Sequence, residues 1–232
     1  MSPHPSWIPR LPGMKRPEGA AGGDPEGAPG EPGTGQVDVF TRQYAGGAAP
    51  WDYTQPQPEI VALEDAGTFG PRVLDVGCGT GQTALFLAER GHDVTGIDGA
   101  AQAITQAAER ALERGLIVCF RQADVLEALP ELIGRFHGVT DVGFFHALTD
   151  EQRIDFATKL AGVLAPGGVY AMLCFSDRVP GAWGPRRVSE AEIRATFAGP
   201  QWRVREVRQA LLYSAVEAMP TIDANLAIVE RA

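Results

Sequence analysis

The 232-residue chain has few cysteines, almost no lysine and no long apolar run. Its three cysteines, Cys78, Cys119 and Cys174, are odd in number and far apart. That spacing argues against a disulfide framework or a structural zinc site, so no metal is expected and a reducing cytoplasm fits best. No apolar stretch suits a signal h-region or is long enough to span a bilayer, so no membrane association is expected. Positive charge is scarce too: 20 Lys+Arg face 29 Asp+Glu, for a formal net charge of −9. Binders of nucleic acid concentrate cations against the phosphate backbone, and this balance argues against that class. Only Lys15 and Lys159 are lysines; this bias, like the 28 Gly and 18 Pro, reflects genome composition as much as function. Nothing in the composition sets an oligomeric state.

Glycine and proline are concentrated at the start. Residues 1–36 hold eight of each, which leaves too little apolar surface to offset ordering entropy, so this stretch is read as a disordered tail. The tail carries three cations and four acids, leaving −8 to a single domain at residues 37–232. That length can build a sizeable core.

Within the domain, apolar and β-branched runs predict strands at Arg72–Val76, Asp93–Ile97, Ile117–Gln122, Gly138–Val142 and Val169–Cys174. Helical stretches fall between the first three, at Thr83–Arg90 and Ala101–Arg114. Thr149 with Gln152, and Ser189 with Glu192, have capping-box spacing and predict two further helix starts. Pro166, Gly167 and Gly168 are expected to stop the first of these and turn the chain into the next strand. Strand–helix alternation at this spacing predicts βαβ crossovers and a doubly wound, Rossmann-like α/β sheet. Arg203–Gln209 and Ala224–Glu230 read as strands with no helix between them, an antiparallel edge pair.

The sharpest feature is Val73-Leu74-Asp75-Val76-Gly77-Cys78-Gly79-Thr80-Gly81, a strand running into glycines and then a helix. Gly77, Gly79 and Gly81 permit a tight turn and close approach to a ligand. Asp98 ends the second strand, 21 positions after Gly77, where a carboxylate can bind both hydroxyls of a ribose. Asp124 ends the third, where it can receive the amino group of an adenine. Gly99 and Val125, next after these two aspartates, join the candidate cofactor-binding set. Asp75 stands where dinucleotide-binding turns normally have an apolar residue. Three carboxylates around one crevice disfavour a pyrophosphate and suit a cofactor bearing an ammonium and a sulfonium, S-adenosylmethionine. The rival reading is an NAD-dependent oxidoreductase, against which stand Asp75 and the Gly-x-Gly-x-Gly spacing.

On these residues the chain resembles the class I S-adenosylmethionine-dependent methyltransferases, from about Val37 to Ala232. The resemblance implies a seven-stranded sheet ordered 3-2-1-4-5-7-6 with strand 7 antiparallel. It implies methyl transfer to O, S or N of a small, aromatic acceptor, the alternative being a non-catalytic regulator that keeps the fold. Pro50-Trp51-Asp52, Gln55-Pro56-Gln57-Pro58, Gly143-Phe144-Phe145-His146 and Leu173 to Arg178 are similar to a small-molecule branch. That branch is related to thiopurine S-methyltransferases and phenol or quinol-type O-methyltransferases.

The acceptor side is less defined. After Asp141 the chain reads Val142-Gly143-Phe144-Phe145, without the Asn/Asp-Pro-Pro-aromatic tetrapeptide of base and glutamine N-methyltransferases. Phe144 and Phe145 can line a flat apolar pocket or belong to the core. His146 is a candidate general base for a phenol or thiol, or a structural histidine at a helix start. Asp141 is a candidate contact for the methionine end of the cofactor. Trp51 and Tyr53, in a segment from Tyr44 to Pro58 read as a lid, can cover the cofactor or stack beside its sulfonium, or merely pack on the sheet. Arg178, Trp183, Arg186 and Arg187 fall in the loop after the fifth strand, where an arginine can pair with an anionic acceptor or be solvated. His92 and His137 sit at the opposite end of the sheet and read as structural.

Overall fold

The computed structural model describes residue 49 and residues 51–134, 136–181 and 184–232. The tail at residues 1–36, the domain start at residue 37, and Tyr44, Pro50 and Trp183 lie outside the described residues.

The chain runs α1 (Pro58–Asp65), β1 (Arg72–Val76), α2 (Gln82–Glu89), β2 (Asp93–Asp98), α3 (Ala101–Arg114), β3 (Cys119–Gln122) and α4 (Val125–Ala128). It continues through β4 (Phe136–Val142), α5 (Asp150–Val163), β5 (Leu164–Phe175), α6 (Glu190–Thr196), β6 (Trp202–Tyr213) and β7 (Thr221–Arg231). Short 3-10 turns at Leu129–Leu132 and Phe145–Ala147 flank β4. The seven strands form one sheet in the order β3-β2-β1-β4-β5-β7-β6. β1 to β5 pair in parallel, whereas β7 is antiparallel to both β5 and β6. Order and strand sense are those the resemblance implied.

Alternation along the strands divides the core into two layers. Leu74 and Val76 of β1, with Tyr170, Met172 and Cys174 of β5, pack under α4, α5 and α6 through Val125, Phe156, Leu160 and Ile193. Val73, Ala171 and Leu173 face the other way, against Ile60 and Leu63 of α1 and Ala84 and Leu87 of α2. Each wholly buried aliphatic or aromatic side chain contributes about 1.5–3 kcal/mol by leaving water.

Both expected capping boxes are present. Thr149 accepts from the Gln152 amide while the Gln152 side chain accepts from the Thr149 amide, and Ser189 with Glu192 repeats the pattern. Several boundaries differ from expectation, β6 and β7 running longer than the spans read from the sequence. β3 begins at Cys119, because Ile117 is 95% exposed and has no core to enter. α5 passes straight into β5 at Leu164, and Pro166, Gly167 and Gly168 lie within that strand. The interruption is absorbed as a register shift against β4 between Phe136 and Gly138, with Gly167 at φ +75.

Candidate functional site

Parallel strands bring their C-terminal ends to one edge of the sheet, the edge outside which ligands bind in open α/β folds. At the end of β1 the backbone turns through Gly77 (φ +63), Gly79 (φ +52) and Gly81 (φ +86), left-handed conformations that favour glycine. Two of them also lack room for a side chain. A Cβ on Gly77 would lie 2.9 Å from the Cβ of Phe144, and one on Gly81 would lie 2.9 Å from Cζ of Phe120 and 3.0 Å from Ala107. Gly81 therefore lets α2 start close against α3 and β3.

The three aspartates are brought to this edge, each in a different state. Asp98 is fixed by two backbone donors, Gly79 N–H at 2.9 Å and Ala100 N–H at 2.8 Å, so its carboxylate ties the glycine turn to the end of β2. Burial pushes its pKa up, and the same two donors oppose the shift. Asp124 caps α4, accepting from Leu126 N–H at 2.8 Å, and Val125 opens that helix as a buried residue. The Ala123 amide donates to the Asp98 carbonyl at 3.0 Å, which sets the ends of β2 and β3 side by side. Gly99, half-buried, follows in the bend between β2 and α3.

Asp75 lies deeper, 2% exposed beneath the glycine turn. One carboxylate oxygen accepts from the Thr140 hydroxyl at 2.8 Å; the other, Oδ2, is buried with no hydrogen-bond partner. Burial is the largest cause pushing its pKa up to about 7, and Asp141 and Asp98 add repulsion. A buried carboxylate with an unpartnered oxygen is costly by itself and is relieved by a nearby positive charge.

Asp141 is different from its expected part as a cofactor contact. It is wholly buried, and both oxygens are occupied within the chain: by Phe144 N–H at 2.8 Å, Phe145 N–H at 3.1 and 3.3 Å, and the Tyr170 hydroxyl at 2.7 Å. It shapes the turn after β4 and so seats Phe144 against Gly77. Phe145 belongs to the core, with rings of Phe197 and Phe156 centred 6.0 and 6.5 Å away. Only Phe144 of the pair is half-exposed.

His146 is buried, and its Nδ1 accepts from the Phe175 amide at 3.0 Å. Burial, then Arg153 and Arg187, hold its pKa down at about 3. A ring whose Nδ1 lone pair is already engaged carries its neutral proton on Nε2 and offers a donor there. The expectation of a general base at His146 is thus met by an imidazole in the wrong tautomer for that task.

The segment 51–57 crosses this edge as a strap. Its Asp52 accepts from the Thr80 hydroxyl in the glycine turn and pairs with Arg110 of α3 at 3.3 Å; Arg110 also donates to the Thr80 hydroxyl and carbonyl. At the other end the Gln57 amide makes two hydrogen bonds to the Tyr213 backbone, at 2.8 and 2.9 Å. The Tyr53 and Tyr213 rings are centred 5.7 Å apart, and Trp51 is 39% exposed. Thr80, Thr140, Arg110, Gln57 and Tyr170 escape a sequence reading because their roles follow from strand register and long-range contacts. Gln57 had a signal as part of the Gln-Pro-Gln-Pro segment, and Thr80 as part of the glycine motif, but neither partner was readable.

The loop arginines are staples. Arg178 donates to the Ala224 carbonyl at 3.1 Å, and Arg187 to the carbonyls of Val179, Pro180 and Pro185 at 2.8–3.3 Å. Arg186 bridges Asp150 and Glu192 at the starts of α5 and α6. His92 hydrogen-bonds the Gly70 carbonyl and Glu64 at the far end of the sheet, both at 2.9 Å. Among the described residues there is no His/Cys/Asp/Glu cluster suited to a metal and no helix long and apolar enough to cross a membrane.

Comparison with known proteins agrees with this geometry. Residues 73–168, which hold the glycine turn and all four aspartates, match the family described as a methyltransferase domain. The chain is 38% identical over 187 residues to the 2-heptyl-1-hydroxyquinolin-4(1H)-one methyltransferase of Mycobacteroides abscessus, covering 76% of this chain and 82% of that protein. A solved structure concerning conversion of a disulfide bond into a thioacetal group during echinomycin biosynthesis has a TM-score of 0.76. It is 31% identical and covers 84% of this chain and 91% of its own. The fold is also that of the Burkholderia thailandensis 1,6-didemethyltoxoflavin-N1-methyltransferase with bound S-adenosylhomocysteine, at TM-score 0.67 and 19% identity, covering 85% and 87% of the two chains.

Proposed function

This chain belongs to the S-adenosylmethionine-dependent methyltransferases of small molecules, and from that premise we propose that it methylates a heteroatom of a small aromatic acceptor. S-adenosylmethionine is its cofactor, and the crevice suits one: a glycine turn without room for side chains, and the orphaned carboxylate oxygen of Asp75 awaiting positive charge. Bound there, it supplies a methyl group activated by a sulfonium. In this reading Gly77, Gly79 and Gly81 let the backbone approach the cofactor, Asp98 takes the ribose hydroxyls, and Asp124 and Val125 flank the adenine. The oriented Asp98 carboxylate needs no rearrangement to accept two hydroxyl donors, since Gly79 and Ala100 already fix it. Gly99 leaves the bend beside it open. Trp51 covers the crevice from the strap. Asp141 acts from behind, holding Phe144 over Gly77.

The observation that carries the aromatic acceptor is the 38% identity, over most of its length, to a protein named for 2-heptyl-1-hydroxyquinolin-4(1H)-one. Half-exposed Phe144 beside the turn supports it, as a flat apolar surface. The protein's part in transfer is to align the reactants and exclude water. The test is incubation of the full chain and S-adenosylmethionine with that quinolone, with phenols, with aryl thiols, with heterocyclic amines and, as non-aromatic acceptors, with alkyl thiols and aliphatic amines, read by mass spectrometry. A gain of about 14 Da on an aromatic acceptor is expected; methylation confined to non-aromatic acceptors would overturn the reading.

A further inference from the structure

His146 is clamped in one orientation. A backbone amide can only donate, so the 3.0 Å contact from Phe175 N–H engages the Nδ1 lone pair and leaves the neutral ring's proton on Nε2. The Phe175 ring stands edge-on to the imidazole at 4.8 Å. On the other side the Gly143 amide is bound to the Leu173 carbonyl at 3.0 Å, which joins the turn after β4 to β5. The Nε2–Cε1 edge of the imidazole runs along Gly143, where an added methyl would lie 3.3 Å from both atoms. Gly143 has φ +90 and no side chain, so it leaves that edge uncovered on its own side.

The charged groups acting on the ring come from two directions and are both positive: Arg153 of α5 and Arg187 of the loop after β5. Arg153 is 2% exposed; its Nε donates to the Phe145 carbonyl at 3.2 Å, and Nη1 and Nη2 are buried without hydrogen-bond partners. Its ion pairs to Asp150 and Glu192 are long, at 3.8 Å, and both acids are shared with Arg186. A positive potential is therefore left at the imidazole, and it favours a neutral ring together with an anion beside it.

Resting on the acceptor reading above, we propose that His146 serves the methyl acceptor as a hydrogen-bond donor through Nε2–H, so that the site selects acceptors whose nucleophilic oxygen or sulfur is already ionised. The class comprises N-hydroxy heterocycles, acidic phenols and aryl thiols. The acceptor's proton goes to solvent before transfer. The anionic oxygen or sulfur then supplies the electron pair for its new bond to the methyl carbon. The methyl–sulfur bond breaks with its pair left on sulfur. The acceptor's negative charge and the sulfonium's positive charge disappear together, and no proton passes to the protein. His146 is here a residue that holds the acceptor, and Phe175 N–H is what positions it.

Two measurements test this. Nitrogen-15 chemical shifts of the imidazoles, with His146 assigned by loss of its signal in His146→Gln, are expected to show a neutral Nε2–H ring from pH 5.5 to 8 with or without S-adenosylhomocysteine. An imidazolium or an Nδ1–H ring would overturn the proposal. Rates are then measured with 2-heptyl-1-hydroxyquinolin-4(1H)-one and with 4-nitrophenol for wild type, His146→Gln and His146→Ala. A glutamine can accept from Phe175 and donate to the acceptor but cannot act as a base. His146→Gln is expected to keep kcat/KM within about fivefold, with His146→Ala falling further and the rising limb of the pH profile moving with the acceptor's own pKa. Equal losses of about 100-fold or more in both variants, the scale of a lost general base, would overturn it, as would a limb identical for the two acceptors. Turnover of neither acceptor by wild type would count against the aromatic-acceptor reading, and the nitrogen spectrum would then decide the histidine's tautomer alone.

Discussion

Asp75 carries a charge that the folded chain does little to stabilise. Burial outweighs the Thr140 hydroxyl and the Ala84 amide at the start of α2, which pull its pKa down, and holds it at about 7; a similar burial holds Asp141 at about 6 despite the Tyr170 hydroxyl and its backbone donors. Both folded values lie above the ordinary carboxylate value of 3.8. The folded state therefore binds more protons than the unfolded one between about pH 4 and 7, and stability falls as pH rises through that window. Asp75→Asn is expected to raise the melting temperature of the ligand-free protein at pH 8 by a few degrees, about 2 kcal/mol, and to flatten the pH slope of stability. The same change is expected to weaken S-adenosylmethionine about tenfold, roughly 1.4 kcal/mol, because the cation loses its partner. Differential scanning fluorimetry from pH 4 to 8 and calorimetry check the two halves. Gly77→Ala tests the neighbouring backbone: its φ of +63 and a Cβ 2.9 Å from Phe144 should together cost about 2 kcal/mol of stability, read from urea unfolding.

At the scale of elements, the site is held by two devices. The turn after β4 is tied from below, Tyr170 to Asp141 to the Phe144 amide, and the strap is tied at both ends, to Thr80 and Arg110 and to Tyr213. Gln57→Ala removes two buried-side hydrogen bonds, about 2 kcal/mol, and hydrogen exchange is expected to speed at residues 51–57 while β1 to β5 keep their protection. Uniform loss of protection would show that the strap is part of the core. The glycine turn, the strand–helix alternation and the two capping boxes were legible in the sequence because each rests on neighbours within four residues. Asp98 and Asp124 were legible as strand ends, whereas what each holds within the chain, the glycine turn for Asp98 and the start of α4 for Asp124, was not. The role of Asp141 was hidden because Tyr170 is 29 positions away. The tautomer of His146 was hidden for the same reason, since it is set by an amide on β5. Register also explains why the loop arginines, read as solvated or as acceptor ligands, turn out to staple the loop to α5, α6 and β7.

For the whole molecule, β7 is the strand that closes the architecture. It lies between β5 and β6 and pairs with both along its length, so deletion of residues 221–232 should abolish cooperative thermal unfolding and not merely fray an edge. The acidity of the domain acquires a local meaning as well. Three of its acids, Asp75, Asp98 and Asp124, stand at the ends of neighbouring strands, where parallel pairing delivers them to one edge of the sheet, while several others, such as Asp65, Glu89, Glu131 and Glu190, lie in surface ion pairs of small energetic weight. In the proposed reading this edge of the sheet, built by topology and oriented by backbone amides, holds an adenosyl cofactor by its ribose hydroxyls. Calorimetric titration of S-adenosylhomocysteine and NADH into wild type and Asp98→Ala is the decisive measurement. The expected result is one S-adenosylhomocysteine per chain, weakened about 100-fold in the variant by the loss of two hydrogen bonds to a charged acceptor, with no heat from NADH. Equal S-adenosylhomocysteine affinity in both proteins, or NADH binding in its place, would contradict it.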